Sequence, residues 1–386
     1  MKNKVAIVKC NDYTPKNVDS AIREALNLIG GVDKFIKKND KVLLKVNLLM
    51  PSSPENGITT HPAIIKTLGK IVIESGGIPY IGDSSMWQTN KALDVCGIIK
   101  VCEELSCKAV NLESYPIKEI SDSQAKILKK MYISSLVKDV DVLVTVPKLK
   151  VHEMMLFTGA VKNIFGIVPG RNKTLMHKKA PNTTEFSELL IDLYTNVTPN
   201  FALMDGIISV EGSAGVGSTR KIGVILASEN PISLDVVASS IIGYSPEMIP
   251  LNNAAKRRGF SGTNLDEIEI VGEQLKNVKV VEFKKPPSVI PRMLSRPWLN
   301  KLNKIIHFVS TDSKPVVDKK KCIRCKMCEN RCPVKAVKVD KYPIFDYKLC
   351  IRCFCCSEGC KAGAIKVKAS MINQIIIKAM TKMTLK

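Results

Sequence analysis

The chain has 386 residues and 45% hydrophobic content, enough for a sizeable core and too many for one small domain. Its net charge of +22 is uneven: residues 286–386 hold 22 Lys plus Arg against 6 Asp plus Glu, a net +16. Aromatic residues are 5% of the chain and none interleave with the basic residues as stacking platforms, which argues against nucleic acid. No apolar run approaches the ~18 residues that span a bilayer, which argues against a membrane.

The first residues, Met1–Val8, lack an apolar signal region and read as an opening strand, so a cytoplasmic location is expected. Val5–Lys9, Lys41–Val46, Ile78–Gly82, Val140–Val146, Phe201–Met204 and Lys221–Ala227 read as short apolar strands. Between them, Asn17–Ile29, Pro62–Glu74, Thr184–Asn196 and Ser233–Ile242 read as helices. Strands apolar on both faces, alternating with helices, predict a layered, largely parallel, Rossmann-like α/β domain over residues 1–283. No phosphate-binding loop motif is present, and Gly212, Gly215 and Gly217 stand in the wrong order for a dinucleotide fingerprint.

Three polar loops are expected at strand ends, where open α/β sheets bind ligands. The first carries Lys45, Asn47, Thr59, Thr60 and His61 and opens a helix, a setting that attracts an anion. Asp83 and Ser84 form the second. The third runs from Pro147 through Lys148, Lys150 and His152 to Lys162, Asn163, Lys173 and His177, and Asp205 follows the next strand. We expect His61, His152, Lys148 and Lys162 to be catalytic. Lys45, Asn47, Thr59, Thr60, Asp83, Ser84, Lys150, Asn163, His177 and Asp205 are expected to bind a small anionic ligand. His61, His152, Lys148, Lys150 and Lys162 should line one cleft. Like charges need an anion there, or a carboxylate from Asp83 or Asp205.

Residues 284–314 are Pro-rich and basic, with an amphipathic piece over Trp298–Val309 that reads as a docking helix. The tail 370–386 is amphipathic too and is expected to pack back on the protein. Between them, residues 315–369 hold the densest signal. Cys322, Cys325, Cys328 and Cys332 follow C-x2-C-x2-C-x3-C, and Cys350, Cys353, Cys356 and Cys360 repeat it. This is the ligand spacing of bacterial two-cluster ferredoxins, in which the fourth Cys of each run serves the other cluster. It predicts two [4Fe–4S] clusters in a small α+β ferredoxin-like module. One is held by Cys322, Cys325, Cys328 and Cys360, the other by Cys350, Cys353, Cys356 and Cys332. Zinc sites use paired C-x2-C halves, and a disulfide framework needs a secreted context. Cys355, beside Cys356, breaks no spacing and is read as a non-ligand, although a swap is conceivable. Lys361, Arg324 and Arg352 stand near the ligands, where they would raise a cluster potential. Cys10, Cys96, Cys102 and Cys107 read as buried free thiols. The basic C-terminal charge suits an acidic electron carrier, a ferredoxin or flavodoxin.

The segments Lys45–Asn47, Thr59–Pro62, Gly82–Ser84, Pro147–His152, Lys162–Gly166, Asp205–Ile207 and Asn230–Asp235 together resemble the DUF362 family, often fused to a ferredoxin module. The resemblance implies a fold similar to that of the lactate racemase group, which uses a nickel cofactor, and it implies no reaction. The expected function is an iron–sulfur oxidoreductase of an anaerobic or microaerobic setting. It would pass electrons to a small anionic substrate or cofactor in the α/β domain. The alternative is a non-catalytic electron-transfer or cofactor-maturation protein whose α/β domain binds a partner.

Overall fold

A computed structural model describes residues 2–215, 217–286 and 313–368. The amphipathic piece Trp298–Val309 and the tail 370–386 lie outside the described residues.

The first strands are β1 (Asn3–Lys9), β2 (Lys41–Val46), β3 (Ile78–Asp83) and β4 (Lys108–Asn111). A separate antiparallel pair follows, β5 (Ile117–Ser121) with β6 (Lys130–Ser134). Then come β7 (Val142–Val146), β8 (Lys148–His152), β9 (Leu156–Thr158), β10 (Phe201–Glu211), β11 (Ser218–Ser228) and β12 (Ile268–Gly272). The main sheet runs β12-β1-β11-β10-β7-β2-β3-β4, with β8 paired to β10 and β9. Only β11 and β9 run antiparallel to their neighbours in this sheet. The carboxyl ends of β1, β2, β3 and β7 therefore meet at one edge.

Strand side chains alternate between faces. Val5, Ile7, Leu43, Leu143 and Met204 join one buried layer, under the helices Thr183–Asn196 and Pro231–Ile241. Ala6, Val8, Leu44, Val144 and Leu203 join the other, under Pro15–Leu28 and Pro62–Glu74. This is the both-faces-covered sheet that the apolar strands predict.

Two sequence readings are corrected. Pro147–His152 is not a loop after its strand: Lys148–His152 is itself β8, and all five residues are buried. The strand starting at Phe201 does not stop at Met204 but continues to Glu211, so Asp205 lies inside it. Alternating Lys and His mask such a strand, because its charges are neutralised by groups distant in sequence.

In the C-terminal module, β13 (Lys314–Val317) pairs antiparallel with β16 (Ile365–Lys368). Between them, β14 (Val337–Val339) pairs with β15 (Pro343–Phe345). Two short helices, Met327–Asn330 and Cys355–Glu358, occupy equivalent places in the duplicated cysteine runs. Positive φ recurs at equivalent positions, Arg324 with Arg352, Lys326 with Phe354 and Lys335 with Gly363. No helix of the described residues is long and apolar enough to cross a membrane.

Candidate functional site: a buried row of charge beneath a cysteine module

At the end of β2, the Lys45 ammonium lies 2.7 Å from Asp83 Oδ1 at the end of β3, and both side chains are buried. Lys45 also donates to the Val46 carbonyl at 2.6 Å. Asp83 accepts from the backbone N–H of Leu48 at 2.8 Å and of Ser84 at 2.7 Å. Burial lowers the Lys45 pKa while Asp83 opposes the shift. A Cβ on Gly166 would collide with this pair, so a larger residue there would have to displace the Lys45–Asp83 contact. Asn163 ties the strand ends together, donating to the Lys45 carbonyl and to Thr145 Oγ1, each at 3.0 Å, and accepting from Asn47 at 3.1 Å. Thr60 donates to the Val146 carbonyl at 2.6 Å and accepts from the Asn47 N–H at 2.9 Å. Thr59 is fully buried, and its hydroxyl faces the Cys96 thiol.

Lys148, Lys150 and His152 occupy alternate positions of β8 and so share one face. Lys148 lies 2.8 Å from Asp205 Oδ2 and donates to the Tyr13 hydroxyl at 2.6 Å, and Tyr13 donates to Asp205 Oδ1 at 2.9 Å. His61 stacks on the Tyr13 ring at 3.6 Å, and its backbone N–H donates to Asp205 Oδ2 at 3.0 Å. Burial holds the His61 imidazole down to about 4, against the pull of Asp205. Its Nδ1 accepts from the Ala63 N–H and caps the helix Pro62–Glu74. Lys150 donates to the Ile58 carbonyl at 2.6 Å, and burial drops it to about 7, with Lys162 adding to the effect.

His152 ends the row. Its Nε2 lies 2.7 Å from Glu358 Oε1, a carboxylate of the C-terminal module. Its Nδ1 accepts from the N–H groups of Met154 at 3.1 Å and Met155 at 3.0 Å. Burial holds the ring neutral, with a pKa near 4, so its one proton sits on Nε2 and points at Glu358. Burial opposes ionisation of Glu358, yet His152 and Lys162 hold it down to about 2. Lys162 and His177 face the same group. His177 Nδ1 has no partner among the described residues, and His177 stacks on Phe186 at 4.3 Å. On the far side of the edge, Lys173 donates to Ser84 Oγ at 2.8 Å, and Ser84 donates to Glu113 at 2.7 Å.

His152, Glu153 and Glu358 bring their ligand atoms within 4.8 Å of one another, close enough for a metal ion. Two facts oppose it. A His whose Nδ1 already accepts two backbone N–H groups cannot offer a lone pair at Nε2 without becoming imidazolate. Lys150 and Lys162 also stand beside the group, and burial lowers both of their pKa values because positive charge is disfavoured there. The donor set suits an anion better than a cation.

Within the module, Cys322, Cys325, Cys328 and Cys360 line one hollow. Cys353, Cys350, Cys328 and Cys332 are neighbours of Cys356, whose thiol is pushed well up by burial first and by these groups second. The fourth Cys of each run accepts a backbone N–H at its sulfur, from Ala336 to Cys332 at 3.1 Å and from Ala364 to Cys360 at 3.2 Å. Such bonds favour thiolates that ligate iron, so the residues fit two cubanes. Cys355 occupies the place of Met327 in the duplicated helix, and Cys356 that of Cys328. The module is clamped to the α/β domain. Arg331 donates to the Met86 carbonyl at 2.8 Å, and Lys361 sits 3.3 Å over the Trp87 ring. Cys353, Phe354 and Cys355 share a core with the α/β residues.

The structure thus joins Lys148, Asp205 and His61 in one group and Lys150, Lys162, His152 and His177 in the next, both along β8. It keeps Lys45, Asp83, Asn47, Thr60 and Asn163 in an adjacent network. Tyr13, Glu153 and Glu358 escape sequence reasoning. Tyr13 follows β1 at the ligand edge of the sheet and was discoverable from that position. Glu358 lies inside a cysteine run, where no local pattern marks it.

Comparison with known proteins places this geometry in context. Residues 42–240 match the DUF362 model, described as a domain of unknown function, and residues 315–338 match a 4Fe-4S binding domain. A thylakoid-associated protein of Synechocystis sp. is 30% identical over 266 residues, 68% of this chain and 82% of that protein. The lactate racemase apoprotein of Thermoanaerobacterium thermosaccharolyticum is 13% identical, with a TM-score of 0.39, covering 61% of this chain and 58% of that one. The chain belongs to the DUF362 family and joins that domain to a [4Fe–4S]-binding, electron-carrying module.

Proposed function

We propose that the chain is an oxidoreductase whose two [4Fe–4S] clusters carry electrons to a small anionic substrate or cofactor at the seam between module and sheet. Cys322, Cys325, Cys328 and Cys360 would hold the outer cluster, and Cys350, Cys353, Cys356 and Cys332 the inner one. The observation that carries this reading is the contact of His152 with Glu358, which seats the helix Cys355–Glu358 against the buried basic residues of β8. The clusters supply single-electron carriage. Lys150 and Lys162 would neutralise charge that a substrate gains on reduction, and His152 would donate a hydrogen bond through Nε2.

The outer site faces solvent. Cys325 is exposed, Ile323 is 64% exposed, and Arg324 and Lys326 flank them. This face suits an acidic carrier such as a ferredoxin or flavodoxin, in a reducing cytoplasm.

Iron and sulfide analysis of anaerobically reconstituted protein should give about eight of each per chain. Lys162→Met should alter the paramagnetic resonance signal of one reduced cluster and spare the other. About four iron atoms, with Cys350→Ala leaving the spectrum unchanged, overturns the second cluster. Unchanged signals from both clusters in Lys162→Met remove the seam from the electron path.

One observation favours a second reading, that of a non-catalytic electron-transfer or maturation protein. Lys45 with Asp83 and Lys148 with Asp205 are already neutralised by the protein itself.

A further inference from the structure

Arg331 is the last residue before Cys332, and it is only 8% exposed. In the duplicated cysteine runs its counterpart is Gly359, the last residue before Cys360. The two meet. A Cβ on Gly359 would lie 2.1 Å from Arg331 Nη1, so the guanidinium lies directly over its glycine counterpart. Only the missing side chain at 359 makes room for it. Nη2 donates to the Met86 carbonyl of the α/β domain at 2.8 Å. Nη1 is buried without a hydrogen-bond partner among the described residues. Burial disfavours the charge of Arg331, and Cys355, Glu358 and Cys325 favour it through space, none of them by a hydrogen bond. Glu358, the one carboxylate among them, is already held by His152 at 2.7 Å. An arginine stays protonated in proteins. A buried guanidinium therefore needs negative charge close by.

We infer that Arg331 is the buried counter-charge shared by the two cysteine sets and that it sets the potentials of the clusters they hold. Cys332, the next residue, belongs to the inner set, and Cys360, the residue after Gly359, belongs to the outer set. The guanidinium over Gly359 thus stands between the two. A cluster held by four thiolates is anionic, and reduction adds one more negative charge. A fixed positive charge out of water favours that gain and so raises both potentials. Arg324, Arg352 and Lys361, to which the sequence alone gives this role, are at least partly exposed, where water screens their charge. The Met86 carbonyl, a group of the α/β domain, helps to hold the Arg331 charge in place, so seating of the module and its potentials are linked. The inference rests on the two-cluster reading proposed above and needs no substrate.

The experiment uses the full chain with its clusters in place, iron analysis of every variant, and redox titration followed by paramagnetic resonance. Arg331→Gln removes the charge and keeps a donor for the Met86 carbonyl. It should make reduction of each cluster about tenfold less favourable, a fall of about 59 mV in each midpoint potential. Arg331→Lys keeps the charge and should hold both midpoints closer to the parent protein than Arg331→Gln does. Gly359→Ala leaves every charge in the chain intact but pushes the guanidinium off its seat, and should lower the midpoints as Arg331→Gln does. A fall of less than half the expected size in either cluster of Arg331→Gln overturns the inference. So does an Arg331→Lys protein whose midpoints fall as far as those of Arg331→Gln, because the effect then belongs to shape and not to charge. Should Arg331→Gln fail to retain its iron, Gly359→Ala carries the test, and unchanged midpoints there overturn the inference. About four iron atoms per chain in the parent protein would instead remove the two-cluster reading. The midpoint of the remaining cluster would then decide the role of Arg331.

Discussion

His152 Nε2 and Glu358 Oε1 meet at 2.7 Å across the seam between the α/β sheet and the cysteine module, both nearly excluded from water. Because the Nδ1 atom of His152 is committed to two backbone N–H groups, the imidazole can face this carboxylate only as a donor. One ring orientation, fixed by the chain that follows β8, sets the polarity of the whole contact.

The Lys148–Asp205 pair makes a strong stability prediction. Asp205→Ala leaves a buried ammonium uncompensated and also strips an acceptor from Tyr13. Urea unfolding should show a loss of roughly 3–5 kcal/mol. The double variant Lys148→Met with Asp205→Leu should recover most of it. A single variant within 1 kcal/mol, roughly, of the parent would show that the pair is not desolvated.

Cys355→Ser should retain both clusters, because Cys355 matches Met327 and only Cys356 matches the ligand position Cys328. Cys356→Ser should lose about half of the iron. Iron analysis and resonance spectra of the two variants decide it, and a reversed outcome assigns Cys355 as the ligand.

The basic module face predicts salt-sensitive electron transfer. Reduction by an acidic ferredoxin should slow steeply as ionic strength rises, because screening shortens the reach of opposite charges to about 10 Å at 0.1 M salt. Stopped-flow rates that ignore salt would identify the charge as a solvated surface.

Burial raises the Glu153 carboxyl to about 7, with the Glu358 charge adding to the shift. A folded pKa above the unfolded value means that the native state holds a proton which the unfolded state releases. Stability should therefore fall as pH rises from about 4.5 to about 7, by up to about 1.4 kcal/mol per pH unit from this group. Glu153→Gln keeps the acceptor for Ser213 and Ala214 and should flatten that slope. Denaturant midpoints measured across this window give the comparison, and an unchanged slope in the variant sinks the assignment.

The local chain was enough to specify the iron–sulfur module. Ligand spacing within Cys322–Cys332 and Cys350–Cys360 is a property of short loops, and any fold that wraps a cubane must satisfy it. Alternation of apolar strands and helices likewise made the covered α/β sheet legible, since burial on both faces is written into each strand separately. The fate of the charges was decided elsewhere. Lys148 finds Asp205 across 57 residues, Lys150 finds the Ile58 carbonyl across 92, and His152 finds a carboxylate of another module. A buried ammonium is tolerable only when its partner is in place, and that partner is named by topology, not by neighbouring sequence. For that reason β8 read as a loop, and Glu358 went unseen until the sheet edge and the cysteine module were brought together.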